Sequence, residues 1–232
     1  MSNFLIDARN VSKSFRLLPV LHGVTFGVNQ GETAIITGHN GSGKSTLVRI
    51  LAGLSSASSG GVFLFDEPAR KLRACNRRRI GLVTHQSFLY SGLTARENLN
   101  FFAQLYGREN PLLDADRAVT RVGLGSVADE RVDTFSRGME QRLTLARATI
   151  ADPDVLLMDE PFTALDGEGV RLVLDLIEEA MNRGGAVVIT AHETLRLGGL
   201  TFTGYGLVRG RLYATAAGAE TNLGHERSAA AD

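Results

Sequence analysis

Two β-type stretches of hydrophobic pattern flank one helical stretch along the chain. In the first, Phe4-Leu5-Ile6-Asp7-Ala8-Arg9 reads as a short strand. From Val20 to Val28 apolar and polar positions alternate, so that Val20, His22, Val24, Phe26 and Val28 share one face. Asn29-Gln30-Gly31-Glu32 is a turn, and Thr33-Ala34-Ile35-Ile36-Thr37 is a short apolar run of the kind a doubly covered strand needs. A helix is expected over Thr46–Ala52 and a loop over Ser55–Gly61. A strand follows over Val62–Phe65, a turn at Asp66-Glu67-Pro68, and a strand over Ile80–Thr84 that ends at His85-Gln86.

From about Thr94 to Ile150 the period becomes helical. Thr94 and Glu97 have the spacing of a capping box, with Leu99, Phe102 and Leu105 following at helical intervals. Asp114–Val122 and Met139–Ile150 continue the helical pattern. The β/α rhythm then returns. Val155–Met158 is a wholly apolar strand. Gly169–Arg183 is a helix with Val170, Val173, Leu174 and Ile177 expected inside, and Ala186–Thr190 is another buried strand. Leu207–Tyr213 reads as a hairpin about Gly210, and a fraying tail is expected from about Ala216. A helical block inside an α/β chain predicts an α/β fold with a second lobe.

The loop between the strand Thr33–Thr37 and the helix after it changes the picture. Gly38-His39-Asn40-Gly41-Ser42-Gly43-Lys44-Ser45-Thr46 fits G-x-x-x-x-G-K-[ST] at every specified position. Gly41 and Gly43 let the backbone approach an anion, and successive amides at a helix N-terminus cradle α- and β-phosphates. Lys44 is a mobile ammonium for the β- and γ-phosphates, and the Ser45 hydroxyl suits Mg²⁺. A second chemical signal closes the strand Val155–Met158 with two carboxylates. Asp159 is expected to order the Mg²⁺ shell, and Glu160 to orient or deprotonate a water against the γ-phosphate. His192 ends the last buried strand, and in a parallel sheet ligands lie at the carboxyl ends of strands, which groups His192 with Asp159, Glu160 and Gln86. His22, His39, His85 and His225 receive no catalytic role.

With these motifs placed, the chain resembles the ATP-binding cassette ATPases, and the matches run through nearly its whole length in that family's order. Gln86 looks like the Q-loop glutamine, which implies contacts to both nucleotide and metal. Phe135-Ser136-Arg137-Gly138-Met139-Glu140-Gln141-Arg142 looks like the signature motif, with Arg137 and Met139 in place of the commoner Gly and Gln. Thr163-Ala164-Leu165-Asp166 looks like the D-loop, which implies a nucleotide contact for Asp166; His192 looks like the switch histidine, and Phe15 holds the position of the aromatic that stacks on adenine. The resemblance implies a P-loop NTPase core with a RecA-like, mostly parallel sheet, an N-terminal antiparallel β subdomain and an inserted α-helical subdomain. Residues 1–86 and 151–215 would form the core, and about 87–150 the helical part. It implies ATP and Mg²⁺, a homodimer with ATP between subunits, Ser136 and Gly138 reaching the partner's γ-phosphate, and an integral membrane partner. Thr84–Tyr90, Leu93–Leu99 and Leu105-Tyr106-Gly107 are similar to the ATP-binding subunit of the bacterial haem exporter of cytochrome c biogenesis. The expected function is therefore ATP hydrolysis that powers export through a separate membrane subunit, linked to haem export and cytochrome c biogenesis; the alternative is a drug, lipid or polysaccharide exporter, which shares parts of this pattern, and behind it a soluble non-transport ATPase.

Charge and composition narrow the alternatives. Lys plus Arg and Asp plus Glu both number 25, so no net basic footprint for nucleic acid exists. Basic clusters at Arg70-Lys71-Leu72-Arg73 and Arg77-Arg78-Arg79 read as solvated faces. Cys75 is the single cysteine, which excludes an intramolecular disulfide. Met1–Asp7 has neither a basic region nor a long apolar run, so no secretory signal is expected, and no stretch approaches the roughly 18 to 20 apolar residues of a membrane span. The expected site of action is the cytoplasmic face of a bacterial inner membrane, with the chain peripheral and bound through its partner.

Overall fold

A computed structural model describes residues 4–192 and 201–215. The expected tail, residues 216–232, and with it His225, lies outside them. In chain order the principal elements begin with β1 (Phe4–Phe15), β2 (Leu18–Asn29), β3 (Thr33–Thr37), α1 (Lys44–Leu51), β4 (Ser59–Leu64) and β5 (Glu67–Pro68). Next come α2 (Ala74–Arg77), β6 (Ile80–Val83), α3 (Ala95–Leu105), α4 (Pro111–Arg121) and α5 (Arg137–Thr149). The chain continues with β7 (Val155–Asp159), α6 (Gly167–Asn182), β8 (Ala186–Ala191), β9 (Thr203–Val208) and β10 (Arg211–Thr215).

The strands form two sheets. One is antiparallel with order β2-β1-β4-β5; the other has order β10-β9-β3-β8-β7-β6. In the second, every neighbouring pair from β9 to β6 is parallel, and only β10 runs antiparallel, to β9. Every residue of β3, β7 and β8 is buried, because this sheet is covered on both faces. Period-2 alternation divides those residues between two cores. Ile35, Leu156, Met158, Val187 and Ile189 pack with α3, α4, α5 and α6. Ala34, Ile36, Val155, Leu157 and Val188 pack with α1 and the antiparallel sheet. The expected architecture, a mostly parallel sheet with an antiparallel β part and an inserted set of helices, is the one observed.

Several local expectations are corrected. The first strand runs on to Phe15 because β2 and β4 pair along both its edges. In β2 the even alternation breaks: Leu21 is buried, while Val20 and His22 are only half-buried. Val11 pairs with Val24 but Lys13 with Leu21, so one extra residue of β2 bulges there and reverses the faces. The turn expected at Asp66-Glu67-Pro68 falls on Phe65 and Asp66, both at positive φ, and Glu67 and Pro68 pair back onto Leu64 and Phe63. The inner face of α6 is Gly169, Leu172, Val173, Leu176, Ile177 and Ala180, rotated from the expected one; Val170 and Leu174 are half-buried. The Thr94–Glu97 capping box of α3 forms in both directions.

Candidate functional site

The loop from Gly38 to Lys44 joins β3 to α1 at the carboxyl edge of the parallel sheet. Its glycines are demanded by geometry at two places. Gly43 stands at φ 108°, and a Cβ there would come within 2.8 Å of Leu21 Cδ2. A Cβ on Gly38 would come within 2.5 Å of the Leu207 carbonyl oxygen. The result is a backbone cradle at a helix N-terminus with exposed His39, Asn40 and Gly41 at its rim. Ser42 Oγ is buried in it and has no hydrogen-bond partner among the described residues, a polar atom suited to an added acceptor. Lys44 is buried, and its Nζ donates to the carbonyls of Gly38 at 2.7 Å and His39 at 3.2 Å. An open cavity of about 410 Å³ is lined by Val20, Asn40, Gly41, Gly43, Lys44, Ser45, Thr46, His85, Glu160 and His192.

The two carboxylates sit at the end of β7, knitted to β8 by one hydroxyl. Thr190 Oγ1 donates to Asp159 Oδ1 at 2.6 Å and accepts from the Glu160 amide at 3.2 Å. That amide also donates to the Thr190 carbonyl at 3.1 Å. These bonds hold Glu160 at φ 53°, a left-handed conformation uncommon for a residue with a side chain. The held carboxylate faces three nitrogens. Its Oε1 lies 3.4 Å from Lys44 Nζ and 3.3 Å from His192 Nε2, and its Oε2 lies 3.8 Å from His85 Nε2. The structure thus brings Lys44, Ser45, Glu160 and His192 into one wall, with Asp159 buried immediately behind it. A hydroxyl and a carboxylate are hard oxygen donors of the kind Mg²⁺ takes alongside phosphate oxygens.

Other expected site residues are placed elsewhere. Gln86 is exposed and lines neither this cavity nor its neighbour. The reason is local: Thr84 Oγ1 donates to the Gln86 carbonyl and accepts from its amide, a tight turn that leaves His85 on the inner side. Phe15 is half-exposed, with the Lys13 ammonium 4.7 Å from its ring centroid, and it too is absent from the cavity wall. Ser136 caps α5, its Oγ accepting from the Met139 amide at 3.3 Å, and it is exposed away from its own phosphate cradle. Gly138 lies in the first turn of that helix, against the Ala164 carbonyl. Asp166 caps α6, and its Oδ1 accepts from the Gly169 amide at 2.8 Å and from Arg142 Nη2 at 2.7 Å. Those contacts, the amide first and the guanidinium second, hold its carboxyl below the usual carboxylate range. Within one chain Asp166 therefore caps α6.

Sequence reasoning missed Thr190 and His85. A hydroxyl inside a wholly buried strand has to find a partner, which was a usable signal for Thr190. His85 lies at the start of the loop after β6, on the same sheet edge as His192 and next to Gln86.

The ABC transporter family matches residues 21–163. The Nod factor export ATP-binding protein I of Bradyrhizobium diazoefficiens is 38% identical over 194 residues, covering 83% of this chain and 63% of that protein. The linearmycin resistance ATP-binding protein LnrL of Bacillus subtilis is 30% identical over 190 residues, covering 81% and 61%. The chain thus spans less than two thirds of the length of these relatives. Among solved structures, a dimeric ATP-binding cassette in a post-hydrolysis state with ADP and Pi is 27% identical, with a TM-score of 0.80 over 89% of this chain and 96% of that one. The ATP-binding subunit of an ABC transporter is 25% identical, with a TM-score of 0.82 over 90% and 88%.

Proposed function

The chain belongs to the ABC transporter family, and on that premise we propose that it binds and hydrolyses ATP to power an exporter whose substrate path lies in a separate membrane chain. The observation that carries the reading is the phosphate cradle of β3 and α1 facing a carboxylate, Glu160, held at φ 53° and flanked by Lys44 and His192. Cradle amides and Lys44 would take the phosphates, Glu160 would orient or deprotonate the attacking water, and His192 would hold Glu160. Mg²⁺, held by Ser45 and Asp159, would neutralise charge on the phosphates. Residues 1–86 and 151–215 would act as the nucleotide-binding core, and about 87–150 as the helical part that couples to the partner.

The exported class is better matched by the drug, lipid or polysaccharide reading than by haem. The relatives above are named for Nod factor export and linearmycin resistance, and neither name concerns haem. The similarity of Thr84–Tyr90 and Leu93–Leu99 to the haem exporter subunit is what favours the second reading.

Among the described residues no helix is long and apolar enough to cross a membrane, and the proposed attachment to one goes through a partner. The segment after β6 offers the surface for it. Tyr90 and Phe101 pack edge to face at 5.1 Å and both remain substantially exposed, with Phe88 and Leu105 beside them in sequence. Phe102 is buried beneath, 5.4 Å from the desolvated guanidinium of Arg147, which also lies 5.6 Å from the Phe88 ring and donates to the Leu82 carbonyl. Single cysteines at Ser87 and Ser91 in a Cys75→Ser background are expected to crosslink to an integral membrane protein in native membranes. Crosslinks to soluble proteins alone would replace transport with a soluble ATPase role, and the captured protein's identity separates the haem reading from the other.

A head-to-tail homodimer about a two-fold axis is proposed in addition, in keeping with the dimeric cassette to which the chain is similar. Ser136→Arg is then expected to abolish ATP-dependent dimerisation while nucleotide affinity stays within about threefold of wild type. Light scattering and equilibrium nucleotide titration read the two separately. Loss of both together would place Ser136 in its own subunit's site or its fold.

A further inference from the structure

The four carboxylate oxygens of Asp159 and Glu160 are divided among their neighbours without overlap. Asp159 Oδ1 is taken by Thr190 Oγ1, and Glu160 Oε1 faces Lys44 and His192. The remaining two, Asp159 Oδ2 and Glu160 Oε2, lie 4.0 Å and 3.8 Å from one atom, His85 Nε2. The same imidazole lines both the cradle cavity and a second cavity of about 270 Å³, between α5 and the end of β7, whose wall includes Thr84, Arg137, Glu140, Gln141, Thr163 and Ala164. Glu160 lines both as well, so the pair stands on the partition between them.

We infer that His85 is a positioning residue for the hydrolysis: it fixes the Oε2 side of Glu160 while Lys44 and His192 fix the Oε1 side. The inference rests on Glu160 acting as the base in the function proposed above. Separations of 3.8 and 4.0 Å exceed a direct hydrogen bond, so the contact is made across a shared water or after a small approach of the exposed ring. A carboxylate engaged at one oxygen swings about its terminal torsion, which is broad and roughly two-fold. Engaged at both, it holds one azimuth, and lone pairs on each oxygen still remain to take a proton from water. A fixed azimuth matters because an error of an ångström in a catalytic group costs on the order of 10²-fold in rate. The Thr84–Gln86 turn supports the assignment, since it turns His85 inward at the residue where Gln86 turns out.

The experiment compares His85→Leu, His85→Gln and Glu160→Gln in the full chain. Steady-state ATP hydrolysis, equilibrium affinity for MgATP and thermal melting are measured for each. Leucine matches the bulk without a donor, and glutamine restores an N–H. His85→Leu is expected to lower kcat about 10- to 100-fold, with KM, nucleotide affinity and melting temperature near wild type. His85→Gln is expected to recover most of the lost rate. A wild-type kcat in His85→Leu beside an inactive Glu160→Gln overturns the inference and leaves the function standing. An equal loss of nucleotide affinity in His85→Leu and His85→Gln also overturns it, because His85 would then be a nucleotide ligand. Wild-type turnover in Glu160→Gln removes the function on which the inference rests.

Discussion

Glu160→Gln is expected to keep MgATP bound and to lose about 10²- to 10⁴-fold in turnover, or roughly 3 to 5 kcal/mol of barrier. The substitution changes little of the shape. The backbone of residue 160 is held by its own amide on the Thr190 carbonyl and hydroxyl, bonds that an amide side chain does not touch. The change falls on proton affinity: a carboxylate accepts a proton from the attacking water, and a carboxamide does not. It also removes the negative partner 3.4 Å from Lys44 Nζ, which leaves that ammonium more available to phosphate. Binding is therefore expected to hold or tighten while hydrolysis fails, and the persistent nucleotide is expected to trap the proposed dimer. Single-turnover hydrolysis and light scattering with MgATP check the two halves. A variant that hydrolyses at the wild-type rate would move the base role off Glu160, with His192 next to test.

The parallel sheet and its loops were the legible part of this chain. The strands Thr33–Thr37 and Val155–Met158 are apolar runs bounded by turn and charge signals, and such runs end where a doubly covered sheet ends. The phosphate cradle was legible for a different reason. Its chemistry is carried by backbone amides, so its sequence must supply glycines where a Cβ collides, as at Gly38 and Gly43. What stayed hidden depends on single-residue geometry. A bulge in β2 exchanges inside and outside without leaving a composition signal, and it placed Leu21 inside where Val20 and His22 were expected. The exchange of Gln86 for His85 at the cavity wall has the same origin. Which of two adjacent residues faces in is set by the Thr84 hydroxyl closing on the Gln86 backbone, a local bond that no periodicity reports. Asp166 shows a third limit. Its cap role rests on its distances to the Gly169 amide and the Arg142 guanidinium, which no sequence pattern reports.

Lys44→Ala is expected to abolish tight MgATP binding in a protein that still folds. The wild-type ammonium is buried to 4% exposure, donates to the Gly38 and His39 carbonyls, and stands 3.4 Å from Glu160. Among the described residues no other lysine or arginine lines the cradle cavity to replace the charge. Hydrogen bonds from a charged donor contribute about 1.5 to 3 kcal/mol each, and loss of two to phosphate oxygens weakens affinity by about 10² to 10⁴-fold. Folding suffers less. Residue 44 is the first of α1, alanine is a good helix former, and of the two freed carbonyls the one at His39 belongs to an exposed residue, where water takes the place of the donor. Wild-type protein is expected to melt higher as MgATP is added, since a ligand bound only by the native state adds RT ln(1 + [L]/Kd). The Lys44→Ala melting temperature is expected to be close to that of ligand-free wild type and flat against nucleotide. Retained micromolar affinity in the folded variant would remove the cradle as the nucleotide site, and with it the roles proposed for Ser45, Asp159 and Glu160.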